Sequence, residues 1–258
     1  MSGWTGRDVP APARMYDYYL SGKDSYPTDR AAADAVLAIA PEAIEAAREN
    51  RWFLVSAVRY LAEQGIDQFI DIGAGFPASP DVHEVARSTR PSSRVVYVDN
   101  DPVVVAHSRA LRAVGMDVVG MSGDARKPED ILTDPVLLRT IDLSRPVGVL
   151  MIAVAHFLAD VDDPAGIVRV LHAGTVPGSA LVLSHVTAPP DSWERAQAAA
   201  DVYTQHGVTA PMVLRSPGQI AALFADWQLR DGLAPAASWP VPGPITMPTV
   251  VGGVAWHD

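Results

Sequence analysis

The sequence contains no cysteine. That absence excludes disulfides, thiol nucleophiles and thiolate metal centres, and it fits a reducing interior, so a cytoplasmic protein is expected. Positive charge is scarce: 20 Lys and Arg stand against 30 Asp and Glu, a net charge of −10 over 258 residues. A chain this acidic lacks the electrostatic footprint of a protein that grips a phosphate backbone, so nucleic acid is not an expected partner. Long apolar runs are missing too. The longest, residues 147–159, is broken by Gly148 and His156 and is too short and too polar to span a bilayer, so no membrane partner is expected. Residues 1–15 carry no apolar segment of the secretory type. No G-x-S-x-G elbow supports a serine hydrolase and no G-x-x-x-x-G-K-[ST] loop supports an NTPase. His83, His107, His172, His206 and His257 show no metal-ligand spacing, so no metal is expected. What the chain does have is apolar residues, 48% of the total, enough for a sizeable core in one enlarged domain or a core with an added helical segment.

Residues 1–13 are rich in Gly, Pro and small polar types without periodicity and read as a loose arm. Helical patterns follow at Arg14–Leu20, Thr28–Ala40 and Pro41–Gln64, the last stopped by Gly65. Residues 14–65 thus form an N-terminal helical segment. From Asp67 short β-branched runs alternate with helical patterns, the signature of βαβ units on a parallel sheet. Strands are expected at 67–72, 94–98, 117–121, 147–154, 179–185, 227–231 and 247–256. Ser79-Pro80, Asp101-Pro102, Asp163-Pro164 and Ser216-Pro217 each read as an N-cap followed by a first-turn proline. One further helix is expected in an insertion near 188–210, and 233–248 reads as an irregular crossing. The fold class is α/β, with a mostly parallel seven-stranded sheet over residues 66–258.

Three strand ends carry the chemistry. The first, Phe69-Ile70-Asp71-Ile72-Gly73-Ala74-Gly75-Phe76-Pro77, runs from an acidic strand end into a glycine turn, where a backbone can approach a ligand closely. Gly73-x-Gly75-x-x-Ala78 formally satisfies a dinucleotide fingerprint. Asp71 would repel a pyrophosphate, however, and Pro77 and Pro80 remove amide donors that such a site uses, so a cationic or zwitterionic ligand suits the turn better. The second, Val98-Asp99-Asn100-Asp101-Pro102, presents Asp99, which can accept both hydroxyl hydrogens of a ribose; Asp101 reads as the N-cap of the next helix. The third, Met121-Ser122-Gly123-Asp124-Ala125, places Asp124 where it can accept an exocyclic amine of adenine or shape the turn.

With Arg14-Met15-Tyr16-Asp17-Tyr18-Tyr19-Leu20-Ser21-Gly22-Lys23-Asp24 ahead of them, these motifs resemble a class I S-adenosylmethionine-dependent methyltransferase. More closely, they resemble the actinobacterial S-adenosyl methyltransferase family long catalogued as a domain of unknown function. The resemblance spans roughly residues 13–256. Two departures stand out: Pro77 where the wider class has a third glycine, and Ser21 where the family's first marker has one. The resemblance implies a Rossmann-like fold with the N-terminal helices as a lid, and S-adenosylmethionine as cofactor. It implies that Asp71 and the backbone of Gly73, Ala74 and Gly75 hold the methionine part, Asp99 the ribose, and Asn100, Asp124 and Ala125 the adenine. Tyr16, Tyr19 and Lys23 are the candidates for closing the lid, the tyrosine rings facing a sulfonium and the lysine a carboxylate; helix packing and a solvated turn are their plainer explanations. Ala153 and Val154 at the end of the fourth strand would line the cofactor. His156 would face the acceptor as a proton acceptor or else order its loop, and His185 is a weaker candidate.

The expected reaction is methyl transfer to a small-molecule acceptor by in-line displacement. An activated sulfonium needs the protein mainly for proximity and orientation, worth up to about 7–11 kcal/mol, so a base is optional. An NAD-dependent oxidoreductase and a non-catalytic S-adenosylmethionine-binding protein are the alternatives. The acceptor and the oligomeric state are not readable from the sequence.

Overall fold

Proline decides where most of the helices begin. The computed structural model describes residues 8–113 and 115–258. Within them α1 (Pro12–Tyr19), α2 (Pro27–Ile39), α5 (Pro102–His107), α6 (Pro128–Leu132), α7 (Pro135–Thr140), α8 (Pro164–Ala173) and α10 (Pro217–Ala222) all open on proline. The ring presets φ at a position whose N–H has no helical partner. Asp101, Asp163 and Ser216 cap their helices through side-chain oxygens, as expected. The Ser79-Pro80 start is displaced: α4 spans Val82–Thr89, because Asp81, two residues after Ser79, caps it in a reciprocal capping box with Glu84. The remaining helices are α3 (Ala43–Glu63) and α9 (Trp193–Gln205), and a π-helical turn at Ser108–Arg112 extends α5.

The strands are β1 (Gln68–Ile72), β2 (Arg94–Asp99), β3 (Val118–Ser122), β4 (Gly148–Met151), β5 (Ala180–Thr187), β6 (Ala234–Pro235) and β7 (Thr249–Trp256). They form one sheet in the order β3-β2-β1-β4-β5-β7-β6. β1 to β5 are mutually parallel, and β7 runs antiparallel between β5 and β6. This is the Rossmann-like α/β architecture. α3 and α4 cover one face of the sheet; α6, α7, α8 and α10 cover the other.

Two strands differ from expectation. The fourth stops at Met151 instead of residue 154, since Ala153 takes a left-handed φ of +56° and gives its N–H to Ser184 Oγ. The sixth is not at 227–231. Gln228 makes a single bridge to Trp256, the chain then turns through Gly232 at φ +71°, and the pairing strand is Ala234–Pro235.

Residues 1–7 of the expected loose arm lie outside the described residues. From Pro10 onward the segment is anchored: Thr209 N–H donates to Pro10 O, and Ala11 N–H donates to Asp29. α1 and α2 pack with α9 in an apolar cluster of their own, while α3 packs on the sheet. The helix of the insertion and the first two helices therefore form one cover over the carboxyl ends of the strands.

Candidate functional site

Parallel strands deliver their carboxyl ends to one rim, and the rim borders a cavity of about 650 Å³. Asp71 closes β1 into it, Gly73, Ala74 and Gly75 form its turn, and Asp99 and Asn100 enter from the end of β2. Asp124 and Ala125 follow β3, and Ala153, Val154 and His156 follow β4, all on the same cavity. Tyr16 and Tyr19 of α1 line it from the cover. Lys23 does not: it is exposed in the turn after α1 and lies away from the cavity, where solvation of its ammonium is cheaper than burial. His185 is also absent from the lining. Its Nδ1 pairs with Val186 O at 2.7 Å and its Nε2 with the buried Arg215 at 3.1 Å, so both ring nitrogens have structural partners. Burial, with Arg215 beside it, brings its pKa down to about 4.

Asp71 is the most unusual group. Its carboxylate is only 4% exposed and makes no hydrogen bond among the described residues. Burial pushes its pKa up to about 6, with Arg112 and Arg51 pulling down and Asp81 and Asp99 adding to the rise. A buried carboxylate left without a donor is costly, and a cationic ligand group removes that cost.

Asp99 does two things. Its Oδ2 accepts the Gly75 N–H and its Oδ1 the Asp101 N–H, both at 2.9 Å. It therefore braces the glycine turn and retains lone pairs for a ligand. Burial raises its pKa despite those two donors. Asp124 is half-buried and chelated by the Arg126 guanidinium, which holds its carboxyl below the usual range. Asp101 serves as the helix cap at 2.8 Å to Val103 N.

The turn argues against a pyrophosphate. Gly73 and Ala74 N–H both donate to Val98 O, and Gly75 N–H is taken by Asp99. The amides of Gly73, Ala74 and Gly75 are thus all taken, whereas a dinucleotide site offers such amides to a phosphate oxygen. Gly73 is obligatory here, since its φ is +73° and a Cβ would lie 2.3 Å from Val154 Cγ2. Gly75, at φ +59°, borders open space.

The support behind this rim was not legible beforehand. Arg112 is 1% exposed and stacks 4.2 Å over the Tyr97 ring. It donates to the carbonyls of Gly75 and Phe76 and to Asp81, fastening the turn from behind. Nothing in its local sequence marks it. Asn50 did carry a signal, as a polar residue on the buried stripe of α3 with Ala47, Leu54 and Ala57. It donates to Tyr16 Oη at 2.9 Å and accepts from Ser184 Oγ at 2.7 Å, while Tyr16 donates to Ala47 O. The Tyr16 hydroxyl is thus consumed inside the protein, and only its ring is offered to a ligand. Arg14 joins Asp29 to Asp101, tying α1 to the end of β2.

His156 is 4% exposed, and its Nδ1 is buried without a partner. Burial, then the neighbouring His185 and Arg215, hold its pKa well below the ordinary value, so the imidazole is neutral at physiological pH. No helix among the described residues is long and apolar enough to cross a membrane.

Comparison with known proteins agrees with this geometry. The family model described as S-adenosyl methyltransferase matches residues 5–250. The chain is similar to the crystal structure of a candidate methyltransferase from Thermobifida fusca YX, at 34% identity, 99% of each chain and TM-score 0.87. It is similar to the same degree, TM-score 0.87, to a DUF574 family protein from Streptomyces avermitilis MA-4680, at 35% identity over 98% of this chain and 99% of that one. Human N-acetylserotonin methyltransferase in complex with S-adenosylmethionine shares the fold alone, at 14% identity over 98% of this chain and 64% of that one, TM-score 0.51. Among curated proteins none matches. The chain belongs to the S-adenosyl methyltransferase family, whose cofactor is S-adenosylmethionine and whose chemistry is methylation.

Proposed function

We propose that the protein transfers the methyl group of S-adenosylmethionine to a small-molecule acceptor by in-line displacement. The observation that carries the reading is the unpartnered, buried Asp71 carboxylate, set on one cavity with Asp99 and Asp124. A zwitterionic aminoacyl nucleoside fits that donor set. In this reading Asp71 takes the cofactor's ammonium, the Gly73–Gly75 backbone leaves room for the methionine chain, and Asp99 accepts the ribose hydroxyls. Asn100, Asp124 and Ala125 border the adenine, and Ala153 and Val154 wall the opposite side. Tyr16 and Tyr19 close over it from α1.

The bound cofactor supplies an electrophilic methyl carbon on a sulfonium. The protein's part is to exclude water, hold the acceptor collinear with the breaking S–C bond, and receive a proton. With the cofactor held by Asp71, the Gly73–Gly75 turn and Asp99, an acceptor would meet the methyl group on the side of His156, whose unpartnered ring nitrogen would receive the acceptor's proton. A mainly apolar cover over a charged rim suits that division of labour.

Calorimetry with S-adenosylmethionine, S-adenosylhomocysteine and NADH, run side by side, tests the reading. The two sulfur nucleosides should bind and NADH should not. Asp99→Ala should weaken cofactor binding by about 1–3 kcal/mol, the cost of unpaired buried hydroxyls. NADH binding without S-adenosylhomocysteine binding would refute it.

A further inference from the structure

The charges of the cavity gather at its strand-end rim, and the arginines that line it there are occupied. Arg14 binds Asp29 and Asp101, Arg51 lies beside Asp81, and Arg126 holds Asp124. Under the cover the charged lining residues are carboxylates: Asp17 of α1, which accepts the Asp24 N–H at 2.8 Å, and Glu42, ion-paired with Arg195 at 2.7 Å.

The inner face of α9 sets the shape of that half. Ala196, Ala199, Ala200 and Tyr203 recur at i, i+3, i+4 and i+7, one helix face, and all four border the cavity. Three methyl groups in succession leave room where larger side chains would fill it. An aromatic wall stands beside them: the His156 and Phe157 rings lie 4.5 Å apart, and the Phe157 and Tyr203 rings 5.6 Å apart. Four polar atoms of the lining residues are buried without a well-aligned hydrogen bond, Tyr19 Oη, His156 Nδ1, Glu42 Oε1 and Arg51 Nε; of these Glu42 is ion-paired with Arg195, and Tyr19 Oη lies beside the Tyr203 hydroxyl. Tyr19 and His156 are both more than nine-tenths buried. A buried hydroxyl without a well-aligned bond persists where a ligand group meets it.

Resting on the methyl-transfer reading, we infer that the acceptor is a neutral, flat aromatic compound bearing a hydroxyl group. Its ring lies along the alanine face of α9 against the Phe157 and Tyr203 rings, and its polar substituents meet Tyr19 and His156. Among the described residues no unpaired cation lines this half, so an anion is discriminated against by desolvation. The oxygen of the hydroxyl gains the methyl carbon as the S–C bond breaks with its electron pair left on sulfur, and the O–H proton leaves to His156. Tyr19 stays protonated, burial raising its pKa, and so remains a donor.

The test uses the full-length protein saturated with S-adenosylhomocysteine, with 2-naphthol as the neutral probe and 2-naphthoate as its charged counterpart, read by calorimetry and naphthol fluorescence. 2-Naphthol should bind one site at least tenfold more tightly than 2-naphthoate. Ala199→Leu, or Ala196→Leu if the first variant does not fold, should weaken 2-naphthol at least tenfold while S-adenosylhomocysteine affinity stays within about twofold. Tyr19→Phe should weaken it severalfold. Equal binding of 2-naphthoate, no 2-naphthol binding to the S-adenosylhomocysteine-loaded protein, or indifference to filling the α9 face would overturn the inference alone. Failure of the parent protein to bind S-adenosylhomocysteine would overturn both this inference and the reading beneath it.

Discussion

At the scale of single residues, Asp71 sets function against stability. Its folded-state pKa of about 6 lies above the ordinary value of 3.8. A raised carboxyl pKa means the folded state binds the proton more tightly than the unfolded chain does. Ionisation therefore penalises the cofactor-free fold fully above about pH 6, and the penalty fades as pH falls toward 3.8. At neutral pH it amounts to about 3 kcal/mol. Asp71→Asn is expected to raise the melting temperature of the cofactor-free protein at pH 7, with the gain shrinking near pH 4, and to weaken S-adenosylhomocysteine binding at the same time. Thermal scans across pH, paired with calorimetry, check both halves; a variant that lost stability at pH 7 would contradict the assigned burial cost. Arg112 acts in the other sense. Replacing it with Leu removes its bonds to Asp81 and to the carbonyls of Ala74, Gly75 and Phe76, and the loss should be about 3–5 kcal/mol, read as a lower urea midpoint.

Among elements, the cover and the sheet are joined by a hydrogen-bonded line that runs from α1 through α3 to β5. Ala47 O, Tyr16, Asn50, Ser184 and Ala153 N–H follow one another with each polar atom satisfied. A satisfied buried network couples its members, whereas a broken one leaves unpaired groups on both sides. Tyr16→Phe and Ser184→Ala should each cost about 1–3 kcal/mol. Their double variant should fall short of the sum by at least about 0.5 kcal/mol, because each change already loosens the other's partner. Additive losses in a denaturant-based double-mutant cycle would show that α1 and β5 are independent. The same line explains the left-handed Ala153. Its N–H is drawn off the β4 ladder by Ser184, ending the strand early enough for Val154 and His156 to turn into the cavity.

For the molecule as a whole, a cofactor bound between sheet and cover should stabilise both together. S-adenosylhomocysteine at about one hundred times its Kd should add about 2.7 kcal/mol. That corresponds to a rise of roughly 5–10 °C in a chain of this size, visible in a thermal scan. Amide exchange in α1 and α2 should slow in parallel, and protection confined to the strands would mean that the cover does not close on the ligand. Sequence alone determined the α/β class, the three acidic strand ends and most helix starts, because hydrophobic period, proline and short polar caps act within a few residues of themselves. The glycine turn and Asp99 were legible for the same reason. Other features were set only by tertiary packing. Lys23 looked like a cofactor contact until the turn after α1 placed it in solvent. The sixth strand moved from 227–231 to Ala234–Pro235 because pairing with β7, not local β propensity, decides which stretch is a strand. Arg112, Asn50 and the buried hydroxyl of Tyr19 gain their roles from neighbours distant in the chain. A buried polar group's role is defined by which partners the fold brings within hydrogen-bonding distance, and that is a property of three-dimensional packing.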